Sequence, residues 1–568
     1  MRRAAPLLVV ALGLVSCGPD GVKPPIAKGS TSPAPVRGGV LRLATYTDLR
    51  TLDAATAFDE VANVVEQLLY MQLVTLRPDG GVEGDLAESF TRSDDALTYT
   101  FRLREGVRFH DGSPVSAADV KRSLERALSP DTPCPVSSFY ERIDGYADYV
   151  GRRADELRGV RVVSDHVVEI HLSEPDATLL SVLALPIAAV VCPSAGRAFD
   201  RSFSLRPCGS GPFRLERWEP GQRVVLRRFE GYHRPELPYL DGIVIELGVP
   251  PFTQRFKFES GEQDMIRDLT YADYRKYVAS PDWRDNGVWE PAKAVHSIFL
   301  NTELPPFDRR EVRRAVAFAI DRDQIAKVRP GVTTPATRLI PPAVPGHDPT
   351  PGQRHDLDEA LRSMARAGYA FDPRTGKGGY PEEIDYVAVA GSFDQEAAEL
   401  YQQQLAKIGI RIRLKMVSWS AYLAETARRG TTKMGSDGWA MDFPDPSDFF
   451  EPILSSKAIS DEDSQNRAFF SDAAFDALLA EARREPDPAK RLEIYHRAEQ
   501  RIIDEVPWVM SYYKRWYELF HGYVHGYTPH PSLTQRVRFV WLDGAQRRRL
   551  TRGPGAPRAL PAWLGALR

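Results

Sequence analysis

The clearest alternation of apolar and polar residues in the chain runs from Leu97 to Leu103. A period of two predicts a half-buried strand, and a glycine turn leads from it to a short second strand at Val107–Phe109. Ser116 can then cap a helix, because Asp119 stands three residues later in the position of a capping box. Apolar residues continue on one helical face as far as Leu128. The pattern therefore predicts a β-hairpin that leads into an amphipathic helix.

A second pattern predicts a βαβ unit later in the chain. Strand-like alternation at Ile384–Ala390 and at Ile410–Val417 flanks a helical pattern at Gln395–Ile408. Such a unit implies two parallel strands with a right-handed crossover. Because ligands collect at the carboxyl ends of parallel strands, Ser392, which follows the first of these strands, is a candidate ligand-binding residue.

Three further patterns add elements elsewhere. Val61–Leu76 has helical periodicity, and Val160–Leu172 is typical of two antiparallel strands. Asp308 can cap a helix, because Glu311 follows at the third position. These patterns predict secondary structure, and none of them alone indicates a catalytic or binding function.

Several of the same stretches resemble one protein family. LAESF at residues 86–90 and YTFRLREGVRFHDGSPVSAADV at residues 99–120 are similar to the signature of family 5 solute-binding proteins. These are the peptide- and nickel-type extracytoplasmic receptors of ABC importers. GGVLRLAT at residues 38–45 and FDRREVRRAVAFAIDRDQI at residues 307–325 extend the resemblance, which covers nearly all of the chain between Gly38 and Asp543.

The resemblance implies an α/β, two-lobed periplasmic-binding-protein fold with mixed sheets and a hinged cleft. The first lobe, lobe I, is expected to comprise residues 38–293 together with 512–543. Residues 76–206 would form an outer subdomain of lobe I. Residues 294–511 would form lobe II. The expected function is that of a receptor, not an enzyme, which closes around a small ligand and presents it to an ABC importer.

The segment GWAMDFPDP, Gly438–Pro446, resembles the family's GW..D(Y/F)PDP segment. In peptide-binding members the aspartate of that segment pairs with the ligand's α-ammonium, which assigns this role to Asp442. An enclosed ammonium needs such a carboxylate to offset its desolvation. Trp439 and Phe443 flank Asp442 and could exclude water. The alternative is that Asp442 and Asp445 are turn residues that cap the backbone around the prolines.

The resemblance also places a crossing between the lobes in the aromatic stretch Pro507–Tyr527, with Tyr512 and Tyr513 near the ligand. A rival interpretation from another class is a secreted serine hydrolase. Ser511 and Lys514 match the S-x-x-K signature of acyl-serine enzymes, but the Ser-Asp-Asn and Lys-Thr-Gly tripeptides of that chemistry do not occur in the chain. No catalytic residue, metal or cofactor is therefore expected.

The first residues resemble the export signal of a bacterial lipoprotein. Residues 1–16 have two arginines and an apolar run, which indicate a signal peptide, and the run ends in a lipobox-like sequence before Cys17. By this resemblance Cys17 is lipidated and residues 17–37, rich in glycine, proline and serine, form a flexible tether outside the cytoplasm. The alternative is a cleaved signal with an incidental cysteine.

Composition narrows the possible partners. The chain has 568 residues and a formal net charge of −3, and the run 544–568 contains six arginines and no acid. The body is therefore acidic, which argues against a nucleic-acid partner, and the tail is predicted to be basic and disordered. A monomer is expected. Secretion makes a disulfide plausible, and Cys134, Cys192 and Cys208 allow three single pairings that the sequence does not distinguish.

A peptide is the expected ligand. Related receptors also take nickel chelates, haem or sugars, so a non-peptide ligand is the alternative within the same class. The identity of the permease, and the choice between inner and outer membrane, are left open by the sequence.

Overall fold

A computed structural model describes residues 34–57, 59–390, 393–529 and 537–550 of the chain. The predicted signal peptide, Cys17, Ser392 and the chain after Leu550 lie outside these ranges. Residues 34–37 of the predicted tether have no regular structure. Among the described residues, no helix combines the length and the apolar character needed to cross a bilayer.

The strands of the described part are, in chain order, β1 Val40–Ala44, β2 Val74–Leu76, β3 Val82–Gly84, β4 Ala87–Arg92, β5 Thr98–Leu103, β6 Val160–Ser164, β7 Val167–His171, β8 Phe213–Glu219, β9 Arg223–Arg228, β10 Gly242–Glu246, β11 Met265–Ile266, β12 Gly287–Trp289, β13 Ala294–Leu300, β14 Thr333–Pro335, β15 Phe371–Asp372, β16 Lys377–Gly378, β17 Glu383–Val389, β18 Arg411–Val417, β19 Met434–Ala440, β20 Trp508–Lys514, β21 Tyr517–Phe520, β22 Val524–His525 and β23 Trp541–Leu542.

The α-helices of the same part are α1 Glu60–Leu69, α2 Ala117–Leu128, α3 Tyr146–Val150, α4 Leu179–Val182, α5 Pro251–Glu259, α6 Tyr271–Ala279, α7 Arg310–Ala319, α8 Arg322–Ala326, α9 Leu357–Arg366, α10 Phe393–Ala406, α11 Trp419–Thr426, α12 Ser447–Leu454, α13 Ala473–Arg484, α14 Pro488–Glu505 and α15 Gly544–Leu550.

The largest sheet has six strands in the order β14-β20-β13-β19-β17-β18. Strands β17 and β18 are parallel and are joined by α10, so the predicted βαβ unit is confirmed. Buried apolar residues cover both faces of this sheet and form two separate cores. This sheet contributes one wall of the cleft between the lobes.

The rest of the described chain is built on smaller, mostly antiparallel sheets. One has the order β1-β10-β9-β8, another β4-β5-β7-β6, and a third β11-β21-β12. The predicted strand over Leu97–Leu103 is β5, and α2 begins after Ser116 with the predicted capping box. The hairpin predicted in Val160–Leu172 is confirmed as β6 and β7. Val107–Phe109 is not a strand, because its pairing is limited to an isolated bridge between Arg108 and Pro114.

Two predicted helix bounds are wrong. Helix α1 ends at Leu69 and does not run to Leu76, because Tyr70 is extended and the carbonyl of Leu69 accepts a hydrogen bond from the N–H of Gly211 at 2.9 Å. The chain then enters β2. Helix α7 has Arg309, not Asp308, at its N-cap, and no side chain caps it.

Two neighbouring segments carry the chain between the six-stranded sheet and the sheet that contains β12 and β21. One leads from β12 to β13 and the other from β20 to β21, and the N–H of Glu290 donates to the carbonyl of Trp516 between them at 2.8 Å. The predicted lobe boundary after Ser511 falls inside β20, which continues to Lys514. The remaining lobe boundaries stay a prediction.

A buried carboxylate joins the two ends of the described chain. Asp264 accepts hydrogen bonds from Arg42 Nη2 on β1 at 2.6 Å, from Tyr523 Oη at 2.7 Å and from Arg547 Nη2 on α15 at 3.0 Å. Burial alone would raise the pKa of Asp264, but the guanidinium groups of Arg547 and Arg42 outweigh it and hold the pKa below its usual value.

The same contacts correct the prediction of a disordered tail from Gly544 onward. Gly544–Leu550 is the helix α15, and Arg547 Nη1 also donates to the carbonyl of Val40 at 3.0 Å. Arg547 is therefore held in place by the buried Asp264. The arginine-rich sequence around Arg547 gives no sign of this partner.

A disulfide joins Cys192 to Cys208, one of the three pairings that the sequence allowed. The N–H of Cys192 also donates to the carbonyl of Cys208 at 3.0 Å, so the two backbones are already adjacent. Cys134 is a half-buried free thiol, and burial raises its pKa to about 12.

Replacing Arg547 by glutamine should lower the free energy of unfolding by about 1–3 kcal/mol, since it removes charge-assisted hydrogen bonds to a buried carboxylate. The neighbouring Arg548 is exposed, and Arg548→Gln is the matched control, with an expected change within about 0.5 kcal/mol. Urea unfolding followed by tryptophan fluorescence measures both. Equal midpoints for the two variants would show that α15 does not stabilise the protein.

Candidate ligand-binding site

A cavity of about 1720 Å³ lies between the six-stranded sheet and the part of the chain that contains β1, α1 and β11. Its volume exceeds the ~300–1,000 Å³ that is usual for small-molecule sites. Residues of the segment between β20 and β21 also line it. The cavity can therefore enclose a ligand larger than a single amino acid.

The end of β19 projects into this cavity. Strand β17 pairs with β19 only at Met434 and Gly435, whereas β13 pairs with β19 along its whole length to Ala440. Among the described residues, no strand pairs with the outer edge of β19 beyond Asp437. Residues of this projecting end, including Trp439, therefore line the cavity.

Asp442, two residues past the end of β19, lines the cavity. Its N–H donates to Oδ2 of Asp448, a fully buried carboxyl group, at 2.8 Å. Burial raises the pKa of Asp448 well above its usual value, and the negative charge of Asp442 adds to the shift. Of this pair, Asp442 is the carboxylate that faces the cavity.

Asp445 has a different role. Its Oδ1 accepts hydrogen bonds from the N–H and the hydroxyl of Ser447 at the start of α12, and its Oδ2 pairs with Arg491 at 2.6 Å. The two alternatives for the aspartates of this segment therefore apply to different residues: Asp445 caps the backbone, and Asp442 faces the cavity.

The two aromatic residues that flank Asp442 lie in different places. Trp439 lines the cavity, as predicted for a cavity wall. Phe443 does not, because its ring is buried in another core, perpendicular to the ring of Phe139 at 5.9 Å. Phe443 thereby fastens this segment to the region that contains β4 to β7, and its predicted contact with the ligand is not supported.

Tyr512 and Tyr513 point to opposite sides of β20, and neither lines the cavity. Tyr512 lies behind the cavity wall, where it donates to Asp394 at 2.7 Å and stacks on His296 at 4.6 Å. Tyr513 donates to the carbonyl of Arg338 at 2.9 Å in the core on the other face of the sheet. The predicted direct contacts of both tyrosines with the ligand are therefore not supported.

His296 and Asp394 line the cavity and were not predicted. His296 Nδ1 is 3.3 Å from Asp394 Oδ1. Burial would raise the pKa of Asp394, but hydrogen bonds from His296 and Tyr512 outweigh it and keep the pKa low. The sequence gives no signal for this pair, since its members lie on β13 and α10 and meet only in the folded sheet.

A second pair on the cavity wall consists of Asp437 and Arg467, which also were not predicted. Arg467 Nη1 lies 3.3 Å from Asp437 Oδ2, and its Nε donates to Thr426 Oγ1 at 3.1 Å. Burial raises the pKa of Asp437 above its usual value despite the adjacent guanidinium. An aspartate within the strand-forming stretch before Gly438 is the one sequence signal that could have indicated this site.

The acyl-serine interpretation does not fit the geometry. Ser511 is buried, and its Oγ is 2.6 Å from the hydroxyl of Tyr401. This hydrogen bond turns the hydroxyl of Ser511 toward α10, at a β-bulge where the pairing of β20 with β13 shifts between Tyr512 and Met510.

Ion pairs also join the two sides of the cleft, and one of the residues involved, Lys457, lines the cavity. Glu141 accepts hydrogen bonds from Lys457 at 2.8 Å and from Arg483 at 3.2 Å, and Arg484 donates to Glu174 at 2.6 Å. These contacts join the region that contains β4 to β7 to α13 and the turn after α12, so they link the two sides of the cleft.

The sequence profile of the bacterial extracellular solute-binding proteins, family 5 (middle region), matches residues 81–461. The chain belongs to this family. Its members are extracytoplasmic binding proteins that serve ABC importers and are not enzymes. The resemblance drawn from the sequence motifs is thereby confirmed.

Characterised relatives agree with this assignment. The glutathione-binding protein GsiB of Salmonella typhi is 29% identical over 475 residues, which cover 82% of this chain and 87% of that protein. The GsiB protein of Escherichia coli O157:H7 is 28% identical over the same shares of the two chains.

Solved structures share the fold. The periplasmic binding protein DppA of Helicobacter pylori, in complex with the peptide STSA, is 25% identical with a TM-score of 0.77 and covers 89% of this chain and 99% of its own. The oligopeptide-binding protein AppA of Bacillus subtilis, with a nonapeptide, gives a TM-score of 0.78 at 24% identity over the same shares. The predicted α/β, two-lobed periplasmic-binding-protein fold is confirmed.

Replacing Glu141 by glutamine should weaken ligand binding by roughly 5-fold, or about 1 kcal/mol, although Glu141 does not line the cavity. The reason is that its ion pairs cross the cleft, so we expect their loss to lower the population of the closed arrangement to which the ligand binds. Calorimetry with a peptide ligand measures the effect.

The control is Glu169→Gln, because Glu169 lies on β7 of the same region and pairs with His171 of its own strand. This variant should bind like the wild type. A Glu141→Gln protein with unchanged affinity at low salt would contradict the assignment of these ion pairs to closure.

Proposed function

We propose that this protein is a lipid-anchored receptor that captures a peptide between its two lobes and delivers it to the membrane subunits of an ABC importer. It acts as a monomer outside the cytoplasm. The family assignment supports the transport role, and the cavity supports the choice of ligand.

The observation that carries the proposal is the position of Asp442. A free peptide has an α-ammonium whatever its side chains, so one fixed carboxylate can recognise all such ligands. Asp442 presents a carboxylate to a cavity large enough for several residues. In an enclosed site this charge pair is worth more than in water, because fewer water molecules compete for it.

The projecting end of β19 supports the same ligand class. Its outer edge beyond Asp437 has no neighbouring strand among the described residues, so the carbonyl of Gly438 and the backbone of Ala440 can pair with the main chain of an extended peptide. Recognition by strand addition gives affinity without demanding particular side chains. The relatives named for glutathione and the DppA complex with a peptide agree with this choice.

Asp442→Asn should weaken the binding of an unmodified peptide at least tenfold, since removal of one partner from a desolvated charge pair costs about 2–5 kcal/mol. N-acetylated peptides should bind the wild type weakly and the variant no worse. Isothermal calorimetry with one peptide in free and acetylated form tests both statements.

The matched control is Glu462→Gln, which removes one negative charge from the exposed rim of the same cavity. It should leave the preference for the free ammonium intact. Equal affinity of the wild type for free and acetylated peptides would remove the role of Asp442 and would favour a non-peptide ligand such as a metal chelate or a sugar.

The lipid anchor is proposed on the lipobox-like sequence before Cys17 and on the tether-like composition of residues 17–37. Cells that express the full chain should incorporate labelled palmitate into it, and Cys17→Ser should abolish the label. The same variant should appear in the soluble extracytoplasmic fraction. Labelling that survives the substitution would exclude lipidation at Cys17.

A further inference from the structure

Arg467 is an unusual member of the cavity wall because its side chain is almost entirely buried, with 6% of its surface exposed. Thr426 and Asp437 hold it through hydrogen bonds to Nε and Nη1. The ring of Tyr422 lies beneath the guanidinium at 5.6 Å. These contacts fix the orientation of the planar group before any ligand arrives.

One nitrogen of this guanidinium is unused. Within the described chain, Nη2 of Arg467 has no hydrogen-bond acceptor, and it is not among the atoms that are fully enclosed without a partner. Because Arg467 lines the cavity, the remaining donor is open to the space that a ligand would occupy.

The charge of Arg467 is also incompletely compensated. Both of its distances to the carboxylate of Asp437, 3.3 and 3.4 Å, exceed the ~2.7–2.9 Å of strong charge-assisted hydrogen bonds. A buried cation with a loosely held partner gains from a second anion, and a carboxylate matches the fork geometry of a guanidinium.

We propose that Arg467 binds a carboxylate of the ligand and that Asp437 is its positioning residue. The proposal rests on the function proposed above, the capture of a peptide. It assigns to the receptor a preference for peptides that present an anionic group at this place.

The position of the pair relative to Asp442 agrees with the proposal. Asp437 and Asp442 are five residues apart along and just beyond β19, which corresponds to roughly 16 Å in an extended chain. A peptide laid along the free edge of β19, with its ammonium at Asp442, would reach Arg467 after about four or five residues. The carboxylate is then either the C-terminus of a short peptide or an acidic side chain of a longer one.

Arg515 is the competing candidate. It also lines the cavity, and no carboxylate pairs with it among the described residues. However, its guanidinium is held only by stacking on Trp289 at 4.5 Å, and the side chain is only half-buried. Arg467 is favoured because it is fixed in advance, and a preorganised donor loses less conformational freedom when the ligand binds.

The test is a double-mutant cycle between ligand and protein. The probes are tetra-alanine and its C-terminal amide, which differ at the terminal carboxylate. A second pair, Ala-Ala-Glu-Ala amide and Ala-Ala-Gln-Ala amide, differs only at the side chain. Affinities are measured by calorimetry on the wild type, Arg467→Gln, Arg467→Lys, Asp437→Asn and Arg515→Gln.

In the wild type, at least one pair should show a tenfold or greater preference for the carboxylate, and the pair that shows it identifies the source of the anion. Arg467→Gln should reduce this preference to less than twofold. Asp437→Asn and Arg467→Lys should leave an intermediate preference, since a cation remains but is no longer held in a fixed fork. Arg515→Gln should retain the full preference.

The preference is the ratio of the affinities of two peptides for the same variant. This ratio does not depend on the folded fraction of that variant, so partial misfolding of Arg467→Gln does not mask the result. A preference that survives in Arg467→Gln, or one that disappears in Arg515→Gln instead, would overturn the proposal. Peptides that bind through their ammonium without any preference for the carboxylate would overturn this inference alone. Failure of all four peptides to bind the wild type would overturn both it and the proposed function.

Discussion

Asp264 is removed from water, and side chains from three distant parts of the chain, two of them arginines, stabilise its negative charge. Arg42 belongs to the first strand, Tyr523 follows the return from the six-stranded sheet, and Arg547 belongs to the last described helix. An isolated carboxylate in such a place would be strongly destabilising, so the segments that supply its partners depend on one another. The chain leaves this part of the molecule to build lobe II and returns to it, and the Asp264 cluster is where the departing and returning segments are joined.

The segment from Gly438 to Pro446 connects the two sides of the cleft, as the Asp264 cluster connects distant parts of the chain. Within a few residues it presents Asp442 to the cavity, inserts Phe443 into the core of the opposite side and caps α12 through Asp445. Because Phe443 and Asp445 are anchored in different parts of the molecule, the backbone of Asp442 has little freedom. The candidate carboxylate is therefore held by packing on both sides of the cleft.

Local patterns allowed much of the fold to be predicted. The capping box at Ser116, the βαβ unit around α10 and the strand that became β5 are encoded by neighbouring residues, so their periodicity and caps are visible in the sequence. The family resemblance added the two-lobed architecture and drew attention to Asp442.

The failures concern contacts between residues that are distant in sequence. The family resemblance predicts that Tyr512 and Tyr513 lie near the ligand, but the face of β20 that each occupies depends on the register of the whole sheet. Arg467 lies in an irregular segment and acquires its role only because β19 brings Asp437 beside it. Arg547 was assigned to a disordered tail because the sequence around it contains no sign of its partner, Asp264.

The two segments that connect the lobes have a mechanical consequence. Strands β12 and β13 on one segment lie beside β21 and β20 on the other, and the hydrogen bond from Glu290 to Trp516 lies between these two pairings, so the connection between the lobes is a ribbon of two hydrogen-bonded chains. A ribbon of this kind resists shear within its plane and bends most readily out of it. We therefore expect the lobes to rotate mainly about one axis, which would carry Asp442 along the same path toward the opposite wall at each closure.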